Sequence, residues 1–469
     1  MASLSSNPAR VLAESRPLAW VTIGLFALTL ALLGGSSRAD AIQIVALRPL
    51  AALFLIVPLL ILTIHDLERA RGPVFLLAAF GGLVLLQLVP LPAALWQSLP
   101  MRDLVAEMDQ AVGVEAAWRP LSLVPSRTLN ALFSLLVPAA ALLLALALRL
   151  SVMELLLLVA GLGVFDAALG LLQVVSGDAS PLYFYAQTNR GLPVGIFANE
   201  NHSAVFSALA LLAIARLGIS PALRAKLFWV RFVSPVAFLL VLLAVLVSGS
   251  RAGLGMGVLA VLASGLMLWL NIRPMRSRGG ESGMLIRVLR NPRTPPLAFL
   301  AIVALVLFAF VALDRAPGVE GLFLRDPLQD LRWRIWPILT DMMGQFWLLG
   351  SGFGSFEEVY HIFEPTGLLY AQYVNQAHND WAQFVIEGGA PAIALLVAVL
   401  LWILGALRRL ARASIPASRV VFSFSIFTII AVASVFDYPL RAPAFQTISI
   451  WLVLVLALDS HNGRGADRD

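Results

Sequence analysis

The feature that most constrains this chain is a series of twelve apolar runs, each long enough for a helix that crosses a lipid bilayer. Such a helix needs about 20 mostly apolar residues. Composition agrees, since 60% of the residues are apolar and 13% are charged, where a soluble domain carries about 25% charged residues. We therefore expect an all-α integral membrane protein of about twelve transmembrane helices. The predicted spans are approximately residues 18–35, 43–64, 73–91, 129–149, 152–175, 202–218, 229–248, 252–271, 296–313, 380–404, 420–437 and 443–459.

The basic residues predict how these spans are oriented. With the N-terminus inside, about 21 Lys and Arg residues fall on the cytoplasmic side and about 12 on the outer side, as the positive-inside rule requires. The reverse orientation would translocate the 272–295 loop with its six arginines. We therefore expect both termini in the cytoplasm, with 18–35 as an uncleaved first span.

The outer loops are unequal in length. The largest, 314–379, contains an amphipathic, Trp-rich segment at 325–347 that suits the membrane interface. We expect a single functional unit in three parts. These are helices one to nine at 1–313, a structured outer loop at 314–379, and helices ten to twelve with a cytoplasmic tail at 380–469.

Several classes of chemistry are disfavoured. The chain has no cysteine, so disulfides and thiol chemistry are excluded. It has no HExxH or comparable spacing, and we expect no metal and no cofactor. The basic residues lie mostly in short loops between spans, where they orient the protein in the membrane, so we expect no nucleic-acid partner.

A few arginines on the outer side depart from the orientation rule. A guanidinium offers a rigid fork of donors that suits phosphate or pyrophosphate oxygens. Alternatively, each could reach lipid headgroups or pair with a carboxylate; for Arg251, in a very tight turn, we expect an inward-pointing side chain. The residues are Arg190, Arg251, Arg332, Arg334 and Arg441.

Other polar residues stand at or inside predicted spans. His378, where a loop meets span ten, could take a proton from a hydroxyl, although a lone loop histidine is more often an ordinary polar contact. Asp166 and Glu387 could face a cavity, because polar groups within the membrane are costly and often functional. For Asp166, a buried bond across helices is an equal alternative. Asp437 could simply pair with the nearby Arg441.

Six motifs occur in an order that resembles a known family. They are LVPLPAALWQSLP with WRPLSLVPSRT, GLPVGIFANENHSA, VSGSRAGL, RWRIWPILTDMMGQFWLLGSGFGSF, AHNDWAQFVIEGG and DYPLRAP. Together they resemble the O-antigen ligase and polysaccharide polymerase family of bacterial inner-membrane proteins. The chain departs from the family pattern at Glu200, which stands where the family often has proline between two asparagines. The small residue that often closes the helix after the family's histidine motif is not in register, since Gly388 and Gly389 are followed by Pro391. The paired Arg-x10-Gly repeats of some polymerases are not evident.

The resemblance implies a GT-C-like glycosyltransferase architecture with a large periplasmic loop between helices nine and ten. It implies transfer of a glycan from undecaprenyl diphosphate to an acceptor hydroxyl, on lipid A core or a growing polysaccharide. The reaction is expected at the periplasmic face of the inner membrane, metal-independent and inverting, with membrane lipid as a further partner. Arg190 and Arg251 are then expected to bind the diphosphate, and His378 to act as the general base. Substrate or structural support is expected from Arg332, Arg334, Asn379, Glu387, Asn201 and Arg441.

Three alternatives remain open at this stage. A polysaccharide polymerase or a protein O-oligosaccharyltransferase would use the same scaffold. A small-anion transporter would also place arginines and carboxylates along a path, but polar motifs on one side only, without visible repeats, argue against it. A structural membrane subunit leaves the long patterned outer loop unexplained.

Overall fold

The computed structural model describes residues 15–226, 230–271, 327–369, 374–413 and 415–465. The predicted span 296–313 and the first part of the predicted outer loop lie outside these residues. The longer helices are α1 (Arg16–Leu33), α2 (Ile42–Ile61), α4 (Arg71–Leu86), α7 (Pro125–Ser134), α8 (Leu136–Ala147), α9 (Val152–Ser176), α10 (Glu200–Ile219), α12 (Val230–Val247), α13 (Arg251–Asn271), α14 (Pro327–Phe346), α16 (Asp380–Arg412), α17 (Ala417–Phe436) and α18 (Pro443–Gly465).

The remaining elements are short. Two two-residue strands, β1 (Pro90–Leu91) and β2 (Arg119–Pro120), pair antiparallel with Pro90 opposite Pro120. The short helices are α3 (Ile64–Glu68), α5 (Ala93–Trp96), α6 (Asp103–Ala111), α11 (Pro221–Lys226) and α15 (Phe356–Phe363), with 3-10 turns at Thr366–Leu368 and Pro439–Arg441.

The described part of the chain is a helical membrane protein. It contains nine helical segments that are long and apolar enough to cross a membrane, with 125–147 counted as one segment and α16 the longest. Two shorter apolar helices lie at Arg71–Leu86 and Phe232–Val247. The expectation of an all-α membrane protein is confirmed, whereas the exact number of twelve spans stays a prediction.

Helix α10 forms the centre of the bundle. In the most apolar 18-residue stretch of α10, 89% of the residues are buried, whereas in the corresponding stretch of α16 only 11% are buried. Small residues let its neighbours approach closely, since Gly163 of α9 faces Ala210 and Gly253 of α13 faces Ala204. Small residues at helix contacts are the usual means of close packing in membranes.

The two ends of the bundle contain different connections. At one end, Gly35 donates its N–H to the Tyr185 hydroxyl at 2.6 Å and accepts from the Ala198 N–H at 3.1 Å. This end, which holds residues 34–41, 177–199 and 437–442, is called the loop-rich face below. At the other end, the opposite face, Arg149 contacts Asp66 at 2.9 Å. Which face is cytoplasmic stays a prediction.

Helix α16 is interrupted near the loop-rich face. Gly389 has φ +60, and Pro391 follows it. The backbone of the Gly350–Gly352 segment fits into this break, with Ser351 N–H donating to Ile386 O at 2.9 Å and Gly352 N–H donating to Glu387 O at 3.0 Å. A side chain on Gly389 would meet the Gly350 nitrogen at 2.6 Å. The break therefore requires glycine in α16, at Gly389, and in the facing segment, at Gly350. It replaces helical hydrogen bonds with bonds to that segment, as buried irregular backbone in a membrane requires.

Candidate active site

A cavity of about 540 Å³ opens among α2, α4, α7, α16 and α18 at the loop-rich face. Part of its lining is apolar, including Leu77, Phe80 and Leu135. The rest is polar and rich in arginine. The charged lining residues are Arg38, Asp40, Arg48, Arg127, Glu357, Asp380, Glu387 and Arg441.

Arg441 joins two carboxylates of α16 at this cavity. Its Nη1 donates to Glu387 Oε2 at 3.0 Å, and its Nε lies 3.6 Å from Asp380 Oδ1. The expectation that Glu387 faces a cavity agrees with this position. The expected pair between Asp437 and Arg441 is wrong, because the 3-10 turn Pro439–Arg441 separates the two side chains and brings Arg441 to α16. The two α16 carboxylates also accept hydrogen bonds from Gln383, Ser434 and Leu440.

His378 lies beside this group and faces Asp437. Its Nδ1 is 3.6 Å from Asp437 Oδ1, and its ring packs edge-on against Tyr438 with centroids 4.9 Å apart. The residue has φ +49, in the left-handed region, immediately before Asn379. Asn379 caps α16 by accepting from the Ala382 N–H at 2.9 Å. The unusual backbone at His378 therefore turns the chain into the helix and aims the imidazole at Asp437.

Asp437 is buried beside Arg332 and two histidines. Arg332 Nη2 of α14 lies 3.9 Å from its Oδ2. Burial by itself would raise the pKa of the Asp437 carboxyl, but the contact with His378 and the proximity of His202 lower that pKa well below its usual range. The carboxylate is therefore ionised at neutral pH and can hold and orient the imidazole.

Tyr438 connects the GIFANENH segment to the His378 group. Its pKa is raised by burial and then by the charge of Asp437, while the nearby Asn199 side chain lowers it. Asn199 also caps α10 by accepting from the Asn201 N–H at 2.8 Å. The His202 and Tyr438 rings pack edge-on, with their centroids 5.3 Å apart. Sequence reasoning missed His202, although it directly follows Asn201 in the motif.

The other predicted site residues lie on neighbouring elements at the same face. Arg190 is exposed, donates from Nη1 to Asp178 O at 2.8 Å, and lies 5.4 Å from the Tyr183 ring. Arg251 begins α13 and is half-buried. Arg334 is exposed, with Nη2 3.4 Å from Gly367 O.

The loop of Arg190 and the turn of Arg251 are adjacent, because a Cβ on Gly249 would lie 3.9 Å from the Leu192 side chain. Among the described residues, the cavity lining includes neither arginine.

Asp166 and Gln173 do not face the cavity. The Asp166 oxygens accept from the Ile196 N–H and the Ser203 hydroxyl, each at 2.8 Å. Gln173 binds both polar backbone groups of Gly195, at 2.8 and 2.9 Å. For Asp166, the alternative of a buried bond across helices is therefore the correct one. Asp166 and Gln173 together hold the loop at residues 195–197 in place.

Three cavity arginines were not singled out from the sequence. Arg38 forms two hydrogen bonds to Asp40 at 2.9 and 2.8 Å, and Arg127 contacts Glu358. Arg48 Nη1 donates to the amide oxygen of Asn130 at 2.5 Å, and within the described ranges it contacts no carboxylate. The sequence signal for Arg48 is a lone arginine within a predicted span.

Comparison with known proteins identifies one part of the chain. The family model described as O-antigen ligase matches residues 236–397. This range contains Arg251, Arg332, His378 and Glu387, while Arg190 and Arg441 lie outside it. A search of curated proteins finds no match. The resemblance seen in the sequence is thus confirmed for this segment, which is similar to a membrane ligase or polymerase family of glycosyltransferase type.

Proposed function

We propose that this protein transfers a glycan from an undecaprenyl diphosphate carrier to an acceptor hydroxyl at the periplasmic face of the inner membrane. The observation that supports it most is the pairing of His378 with an ionised, buried Asp437. Neither residue lines the arginine-rich cavity itself, but Asp380, which donates its N–H to Asp437 O at 3.3 Å, does line it. His378 falls within the matched segment. A base and a set of cations for an anionic leaving group are therefore close together.

His378 is suited to deprotonate the acceptor. Because its Nδ1 faces Asp437, its Nε2 is the nitrogen left for the substrate, and Asp437 favours the tautomer with a proton on Nδ1. The acceptor hydroxyl gives its proton to Nε2 while its oxygen attacks the anomeric carbon. The bond from that carbon to the diphosphate oxygen breaks, and the configuration at the carbon inverts. General base catalysis of this kind contributes about 10²–10⁴-fold.

The leaving diphosphate requires positive charge as it departs. Arg48 is the best placed cavity arginine, since its described partner is the neutral Asn130 rather than a carboxylate. Guanidinium groups in a site of low dielectric stabilise such charge strongly. We keep Arg190 and Arg251 as further candidates for the diphosphate, because their adjacent loops lie at the same face.

The cavity also suits a lipid-linked donor. Its apolar lining at Leu77, Phe80 and Leu396 fits the first isoprenoid units, while the arginines fit the diphosphate. The most apolar stretch of α16 is largely unburied, which is consistent with contact between this helix and lipid. A donor that diffuses in the membrane can reach such a site laterally.

Surface polysaccharide in a deletion strain tests the proposal and identifies the acceptor. Gel analysis that shows single-unit caps without longer polymer indicates a polymerase. Polymer that accumulates unattached on its lipid carrier indicates a ligase. A normal polysaccharide pattern, with glycoproteins also unchanged, would contradict the proposed function.

A further inference from the structure

A second pocket lies at the opposite face of the bundle, away from the cavity. Its volume is about 350 Å³. It is formed where α10, α13 and α18 end and where α9 and α17 begin. Arg216 stands three residues before the end of α10, or about 5 Å along the helix axis. The pocket is therefore at the depth where lipid headgroups meet helix ends.

The charges at this pocket do not balance. Asp459 Oδ2 binds Arg216, and its Oδ1 lies 3.2 Å from Arg419 Nη1. Each carboxylate oxygen is thus already engaged by a guanidinium. Arg69 also lines the pocket and has no ion pair within the described ranges. Three guanidiniums and one carboxylate leave a net charge of +2 on the described lining.

Arg216 has unused hydrogen-bonding capacity at this place. Its side chain is only 8% exposed, and its guanidinium carbon lies 4.5 Å from the centroid of the Phe422 ring. Asp459 and the ring fix the orientation of the group. Its Nη1 is buried and has no hydrogen-bond partner among the described residues. Leaving a charged donor unsatisfied is costly, so the arrangement favours a ligand that accepts from it.

We infer that this pocket binds a phosphate group, with Arg69, Arg216 and Arg419 as its ligands. A phosphate carries negative charge to balance the net +2 and offers several oxygens to guanidinium forks. The group can belong to an anionic phospholipid, which the depth of the pocket suits, or to a soluble phosphate. This site is separate from the proposed catalytic cavity and does not depend on the glycan reaction.

Binding to the purified full-length protein in detergent tests the inference. Native mass spectrometry measures retained phosphatidylglycerol, with phosphatidylcholine as a lipid that lacks net charge and inorganic phosphate as the soluble probe. The variants Arg69→Gln and Arg419→Gln leave the Arg216–Asp459 pair intact, so the fold should be retained. Arg412→Gln removes an exposed arginine at the end of α16 and is the matched control.

We expect both pocket variants to lose affinity for one of the anionic probes by roughly tenfold or more, the scale of one charge-assisted hydrogen bond. Arg412→Gln should bind like the wild type. Loss confined to phosphatidylglycerol identifies a lipid site, and loss confined to inorganic phosphate identifies a soluble ligand. Equal affinity of the wild type and both pocket variants for both probes would overturn the inference, as would failure of the wild type to bind either.

Discussion

Two groups of buried polar residues in this protein look alike in the sequence and differ in the structure. Asp166 and Gln173 in α9 bind the loop at 195–196 with every bond directed at protein groups. Asp437 is linked through the Asp380 N–H to the lining of a cavity, and two polar atoms of the His378–Asp437 pair, His378 Nδ1 and Asp437 Oδ2, lack a hydrogen bond within the described residues. Burial of a polar group is therefore common to both, and spare bonding capacity next to open space separates them.

A buried polar residue in a membrane protein can therefore stabilise the fold or act on a substrate, and its hydrogen bonds distinguish the two cases. A saturated carboxylate such as Asp166 stabilises a loop, since each of its oxygens offsets the cost of burial with a hydrogen bond. A histidine beside an ionised carboxylate can still accept a proton from a substrate.

Replacing His378 should give the largest effect. His378→Ala should lower glycan transfer about 10²–10⁴-fold while leaving the protein folded, because a general base is removed. Surface polysaccharide in a complemented deletion strain measures the change, with protein level in the membrane checked in parallel. His361→Ala is the control, since His361 is exposed and contacts Glu364 at 3.2 Å at the same face; it should complement fully.

Breaking the Arg441 group should mainly reduce stability. Arg441→Gln leaves Glu387 buried without its cation, which typically costs about 3–5 kcal/mol. The double variant Arg441→Gln with Glu387→Gln should recover part of that loss, because it removes the uncompensated charge. Unfolding of the purified variants measures both values. Glu68→Gln, which breaks a pair with His65 that is exposed on both sides, should cost little stability; equal losses for Arg441→Gln and Glu68→Gln would contradict the prediction.

Asp437→Asn should reduce transfer roughly tenfold to a hundredfold, the scale of the charge-assisted hydrogen bond of about 1.5–3 kcal/mol that we expect this 3.6 Å contact to form when substrate is bound. Glu364→Gln is the matched control at the loop-rich face, because Glu364 contacts the exposed His361, and it should leave the rate unchanged. Wild-type activity for Asp437→Asn would show that the carboxylate does not position His378.

The same Asp437→Asn variant should show a defined pH dependence of stability. The folded pKa of Asp437 is lowered, so its contribution to the free energy of unfolding is complete above the unfolded value of about 3.9. That contribution is lost as pH falls toward the folded pKa. The stability difference between wild type and variant should therefore not decrease as the pH falls from about 8 to 5, and it should shrink below about pH 4. A difference that shrinks already near neutrality would contradict the assignment.

Asp166→Ala should give the smallest effect on activity. It leaves the Ile196 N–H unsatisfied, which costs about 1–3 kcal/mol of stability, while transfer per folded molecule stays at the wild-type level. Asp178→Ala, an exposed change in the following loop, should alter neither. Loss of transfer in folded Asp166→Ala protein would contradict a purely structural role for Asp166.

The sequence predicted the helical membrane fold well, because long apolar runs have few alternatives in a bilayer. The sequence also singled out His378, Glu387 and Arg441 from their motifs, and the structure brings Glu387 and Arg441 into contact, while the roles of all three stay predictions. Arg48 was missed because hydropathy and the positive-inside rule assign a residue to a span or a side, not to a cavity. Its partner Asn130 is 82 residues away.

The pairing of Asp437 shows another limit. Its distance of four residues from Arg441 suggests a contact on one helix face, but α17 ends at Phe436 and a 3-10 turn follows. Asp437 therefore meets His378 and Arg332, while Arg441 meets Glu387. Such pairs depend on how distant segments pack, which local patterns do not specify.

The most direct test of the central claim is glycan transfer by purified protein in liposomes that contain a lipid-linked glycan donor and an acceptor. Release of carrier diphosphate and the anomeric configuration of the product are measured together for wild type, His378→Ala and His361→Ala. Wild type and His361→Ala should give an inverted product, and transfer by His378→Ala should be reduced about 10²–10⁴-fold. Wild-type transfer by folded His378→Ala protein, or a product with retained configuration, would contradict it.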